Sequence, residues 1–187
     1  MAIEFKEKKT KGGFPVFWRG EFGVLPGDFK LKGTYPEGMT IPKSTPIKLD
    51  FENMECKICK SAQVVAGGTT AAPHVVKGSM FQIGDAVKIG DSSSTVKSID
   101  NANPDYDVLT FAAAVTGATS GATIISDDDL PDAVVESDKE YSTKNGFPTV
   151  SAGYRGLILK DVAHPIPEAW LQEYCMKNNP EIKYIRQ

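Results

Sequence analysis

Cys56 and Cys59, three residues apart in MECKICKSAQVV, are the first residues whose type and spacing could do chemistry. A Cys-x-x-Cys pair can ligate zinc or cycle as a dithiol, and each use makes a further demand on the chain. Zinc needs about four ligands, yet no second pair follows. The remaining candidates are a third cysteine, Cys175, and two isolated histidines, His74 and His164. A redox dithiol opens a helix, whose N-terminal dipole lowers the thiol pKa. The segment around Cys56 reads as extended instead, and residues three apart on a strand point to opposite faces. Ordinary buried or half-buried thiols are therefore expected, and the odd cysteine count fits a reducing compartment.

The second concentration of reactive groups is acidic. Asp127, Asp128, Asp129, Asp132, Glu136, Asp138 and Glu140 all fall within DDDLPDAVVESDKE. Oxygen ligands at that density suit a hard cation, but the run lacks the glycine and terminal glutamate spacing of a calcium loop. A solvated connection is expected. Asp28, Asp50, Asp85 and Asp100 stand beside turn signals, where a carboxylate bonds nearby amides. His164 precedes Pro165 in loop-like sequence, a setting for a surface or satisfied imidazole rather than a general base. Phosphate-loop, nucleophile-elbow and zinc-helix motifs do not occur. No set of nucleophile, base and orienting group can be assembled from these positions. The sequence points away from an enzyme and implies no metal and no cofactor.

The elements that must carry these residues are short. The chain has 187 residues, enough for one sizeable domain or two small ones. Apolar residues at 41% and charged residues at 24% exclude a wholly disordered or fibrous chain. A net charge of −3 supplies no basic field for phosphate backbones, so nucleic acid is not an expected partner. No apolar run approaches the ~18 residues of a membrane span, and MAIEFKEKKTKGG lacks the apolar region of a secretory signal. No membrane insertion, and synthesis in the cytoplasm, are expected. Residues 1–13 read as a mobile, mildly basic arm.

Beyond the arm, glycine and proline recur every few residues, which breaks helical periods and leaves short strands joined by turns. Pro36, Pro42 and Pro46 suit edges and loops rather than central strands. Between residues 74 and 127 the phrases FQIGDAVKIG, STVKSID, YDVLTFA and SGATIIS supply five short strands, the size of a small SH3-like barrel. Val96 and Ile99 are three apart, so both can face one core only if a bulge separates them. PIPEAWLQEYCMKNN reads as the single helix: Pro167 suits its first turn, Glu168 complements the dipole, and Asn178-Asn179-Pro180 ends it. Trp170, Leu171 and Tyr174 would share its apolar face.

Three phrases carry a resemblance: IPKSTPIKL at Ile41–Leu49, FQIGDAVKI at Phe81–Ile89 and GYRGLILK at Gly153–Lys160. With the sequence around them, from about Phe14 to Leu171, they resemble head fiber and head-decoration proteins of tailed phages and prophages, especially those of Bacteroides-type gut bacteria. The resemblance implies a structural virion protein on the outer capsid surface, made in the host cytoplasm. Its expected partners are the major capsid protein and further copies of itself, most simply in a trimer. The fold expected is mainly β: a discontinuous decoration-type domain from residues 14–73 and 128–187, an inserted barrel at 74–127 and one C-terminal helix. Phe14, Val16, Phe17, Trp18 and Trp170 are the expected contacts to capsid or sister subunit. The barrel would project outward, with Tyr106 and Phe111 available to a host-surface glycan. The alternative is a carbohydrate- or protein-binding adhesion barrel not tied to a capsid. A nucleic-acid-binding barrel is disfavoured because only Lys88 and Lys97 are basic between Gly78 and Asp127.

Overall fold

A computed structural model of the protein describes residues 16–33, 35–126, 129–144 and 146–186; the expected arm at 1–13 and Phe14 lie outside them. The fold is nearly all β. Four strands come first: β1 (Trp18–Leu31), β2 (Thr40–Ile41), β3 (Pro46–Asp50) and β4 (Glu55–Ile58). Six follow in the middle of the chain: β5 (Ser61–Val65), β6 (His74–Val76), β7 (Ala86–Ile89), β8 (Ser92–Asp100), β9 (Tyr106–Phe111) and β10 (Thr123–Ile125). The chain returns through β11 (Ala133–Val135), β12 (Lys139–Glu140), β13 (Thr149–Leu159), β14 (Leu171–Gln172), β15 (Cys175–Met176) and β16 (Asn179–Ile185).

The middle six strands form a closed barrel in the order β10-β5-β6-β9-β8-β7, sealed where Ile125 pairs with Lys88. Strand alternation fills it: Leu109 and Phe111 of β9, Val75 of β6, Val87 of β7 and Ile124 of β10 share one buried cluster. The register of β8 against β9 shifts between Val96 and Ser98. That bulge lets Val96 and Ile99 face the same core, as their spacing required. The barrel has one strand more than the sequence suggested, because β5 precedes residue 74. AGGTTAAP is the loop of a β5–β6 pairing, Val64 opposite Val75 and Val65 opposite His74. Gly68 makes this return possible: a Cβ there would lie 2.4 Å from the His74 backbone nitrogen, so any larger residue must displace main chain.

The remaining long strands build a second circuit around the barrel's two chain connections. β1 runs parallel to β4, β4 pairs with β3, β3 with β11, and β11 with β13, all antiparallel after the first. β13 then returns to β1 and completes the ring. Its core holds Phe29, Ile47, Ile58 and Val135. β13 continues past the ring into a wing, pairing in parallel with β16, which carries β15 and then β14. Beneath the wing lies a core built on Phe17, Ile158, Trp170 and Ile182. Phe22 crosses β13 against Gly153 and Gly156, where an added Cβ would come within 2.2 Å and 2.7 Å of its ring. These two glycines of SAGYRGL are the bed of an aromatic side chain.

The expected C-terminal helix is not formed. Pro167 and Glu168 do start a turn, a single 3-10 turn at Glu168–Trp170, but the chain then folds into the β14–β15 hairpin. Edge pairing wins over helix signals here. Cys175 pairs with Lys183, and the Tyr184 amide donates to the Tyr174 carbonyl at 2.7 Å, which satisfies the edge of β16. Glu173 takes φ 58° at the hairpin turn. Trp170, Leu171 and Met176 are buried while Tyr174 is exposed, a division no helical face would give.

Candidate functional site

The two cysteines of the Cys-x-x-Cys pair belong to different cores. Cys56 packs inside the ring and Cys59 beneath the wing, neither of them in a disulfide. Burial, with a smaller push from Glu55, raises the Cys56 thiol to about 12. It is a neutral packing group at any physiological pH. Among the described residues, no group of three or more His, Cys, Asp or Glu is arranged to hold a metal.

Two members of the acidic run, Asp129 and Asp132, work as structure rather than as a solvated connection. Asp129 accepts from Lys48 at 2.8 Å and Lys57 at 2.7 Å. Those hydrogen bonds, Lys48 first, hold its carboxyl below the usual range. Asp132 Oδ1 accepts the Leu49 amide at 2.9 Å, and burial raises its pKa. Both carboxylates pin the return from the barrel against the β3–β4 hairpin.

His164 sits at the seam between ring and barrel. Its amide donates to Ser44 Oγ at 2.7 Å, and its Nε2 lies 3.1 Å from the Ser61 carbonyl oxygen. A carbonyl only accepts, so Nε2 carries the proton. Ser61 Oγ donates in turn to the Pro165 carbonyl. Burial lowers the imidazole pKa from 6.5 to about 4. A depressed histidine pKa means that the unfolded chain takes up the proton first as pH falls. The stabilising difference is complete above pH 6.5 and lost as pH drops toward 4. Relative to a His164→Gln variant, the wild-type urea midpoint should therefore fall across that window by the equivalent of roughly 1–2 kcal/mol, a figure discounted for the solvent on one side of the ring. Parallel midpoints for the two proteins between neutral and acid pH would show that the seam does not hold this imidazole neutral.

The expected contact residues divide. Val16 is exposed and Trp18 half-buried, its ring stacked on Phe22 with centroids 4.8 Å apart. Phe17 and Trp170, at 0% and 1% exposure, are interior to the wing core and present no side-chain surface to a partner. Tyr106 is on the outer face of the barrel, half-buried and stacked at 4.0 Å on His74. Phe111 points inward at 4% exposure, because alternation along β9 puts it with Leu109 in the barrel core. The aromatic pair expected for a glycan is thus split across the barrel wall.

A cleft of about 680 Å³ lies elsewhere, between ring and barrel. Its ring side comes from the ends of β1, β3 and β4, and its barrel side from the start of β7 and the connection at Ser126. Tyr35, Leu49, Ile58 and Ala86 supply its apolar surface. Lys60 Nζ meets Asp85 Oδ2 at 2.6 Å across the seam and lies 5.3 Å from the centroid of the Tyr35 ring. The same carboxylate oxygen accepts the Gln82 amide at 2.6 Å. Burial, then the Asp85 charge, raises the Tyr35 hydroxyl to about 12, so it stays a neutral group. The sequence placed Asp85 at a turn, correctly, but its partner, Lys60, was read only as part of an extended run.

No protein-family model, curated protein or solved structure matches the chain.

Proposed function

We propose that this chain is a structural virion protein, a head fiber or decoration protein bound to the outer surface of a tailed-phage capsid, where it stabilises the head and displays its barrel. The observation that carries the reading is where the resembling phrases fall. Ile41–Leu49 runs from β2 into β3, Phe81–Ile89 leads into β7 of the barrel and supplies Asp85, and Gly153–Lys160 takes β13 from its ring pairing with β11 to its wing pairing with β16 and one residue past its end. The likeness therefore involves the frame that joins ring, wing and barrel. Val16 and Trp18 are the remaining candidates for contact with capsid or sister subunit, in a homo-oligomer. Capsids assembled without this chain, mixed with purified protein and separated from the unbound fraction, are expected to bind it to a fixed ratio against the major capsid protein. Absence of saturable binding at micromolar concentration would remove the reading.

One observation favours the second reading, an adhesion barrel with no capsid. Val65, Val76 and the ring of Tyr106, with His74 stacked on it, form a strip on the barrel's outside, opposite in alternation to the buried Val64 and Val75. An apolar surface strip of this type marks an interaction site more often than a solvated wall.

A further inference from the structure

We propose that the cleft between ring and barrel binds a neutral, polyhydroxylated ligand, an oligosaccharide of two or three rings. This deepens the display reading above and rests on it for the role of the site on a particle. The cleft's volume of about 680 Å³ falls within the ~300–1,000 Å³ of small-ligand sites, which join an apolar surface to a few placed polar groups.

Charge decides the ligand class. Lys32, Lys48, Lys57 and Lys60 line the cleft together with Asp50, Glu55, Asp85 and Asp129, four of each sign. Lys48 and Lys57 share Asp129, Lys60 holds Asp85, and Lys32 stands 3.7 Å from Glu55. The lining carries no net charge to attract an ion, and an anion displacing Asp85 or a cation displacing Lys60 would leave the other member of that little-exposed pair uncompensated. A hydroxyl group makes no such demand. It donates to a carboxylate lone pair and accepts from an ammonium N–H in the same position, so paired lysines and carboxylates present the two things it needs side by side. Between the pairs, the half-buried Leu49 and the exposed Ala86 offer the apolar surface that the C–H faces of a sugar ring require. The site is on the seam, so an occupant would touch ring and barrel at once and be held by residues that the fold already fixes.

The test is an amide NMR titration of the full chain with maltotriose, cellotriose, chitotriose and, as the anionic comparison, 3′-sialyllactose. At least one neutral trisaccharide is expected to shift the amides of Lys48, Lys57, Ala86 and Ser126 with an affinity of ~1 mM or better. Ala86→Trp, which places a large ring at the cleft from an exposed position, and Lys48→Ala, which removes one donor, should each weaken binding by about tenfold or more. No shift with any neutral sugar up to about 10 mM overturns the proposal. Tighter binding of sialyllactose than of the neutral sugars overturns the ligand class, and shifts centred on Tyr106 overturn the location. Because the titration uses the isolated protein, a negative result leaves capsid binding standing, and a positive one survives its failure.

Discussion

Trp170→Ala is expected to lower stability by about 3–5 kcal/mol, the range for truncating a fully buried large aromatic. Trp170 is 1% exposed and packs with Phe17, Ile158 and Ile182 beneath the wing. Its backbone also matters, since the Trp170 carbonyl accepts the Lys177 amide at 3.0 Å and anchors the β14–β15 hairpin. A chemical denaturation curve should show the midpoint moving strongly. The resemblance implied a contact to capsid or sister subunit at this residue, and the variant separates the two roles. A contact residue would lose partner binding and keep its midpoint. If the midpoint of Trp170→Ala stays within about 0.5 kcal/mol of wild type, as for a neutral surface change, the wing core is misassigned.

Lys60→Met should cost about 3 kcal/mol, the second-largest effect. Lys60 and Asp85 have side chains only 10% and 23% exposed, and their 2.6 Å contact is the closest polar link between the ring side and the barrel turn. Removing one partner leaves the other charge half-buried and uncompensated, the costly half of any buried pair, although the residual exposure of Asp85 moderates it. Lys60→Met combined with Asp85→Asn should recover much of the loss, because the neutral amide can still accept the Gln82 N–H. Additive losses in the double variant would mean that the two groups act separately and that the pair does not couple ring to barrel.

What the sequence made legible was local. The glycine and proline rhythm announced strands rather than helices, although the stretches through Gly20, Gly23 and Gly27 and through Gly153 and Gly156 run on as the long β1 and β13 instead of breaking into short ones. Val96 and Ile99 announced a bulge from their spacing alone, which the register of β8 against β9 contains. The strand-like spacing of Cys56 and Cys59 announced two separate burial sites. What it concealed was pairing. β5 reads as a strand, but nothing in SAQVV tells whether it closes the barrel or extends the ring; Ile124 and Val75, far along the chain, decide it. The C-terminal helix failed for a related reason. Its Pro and Glu signals are real and produce one turn, yet the open edge of β16 offers Cys175 and Tyr174 better partners than a helix would. Phe111 could be placed inward only once β9 was known to begin with Tyr106 outside. The cleft was invisible because it is made by two units whose contact depends on Lys60, an ordinary residue in an extended run.

The proposal of a capsid-bound structural protein is tested most directly by sedimenting a particle lysate on a density gradient, with this protein and the major capsid protein followed by mass spectrometry. The account predicts that it travels with full heads in a fixed ratio from fraction to fraction. Recovery at the top of the gradient, as a free protein with no counterpart in the head fractions, would contradict it.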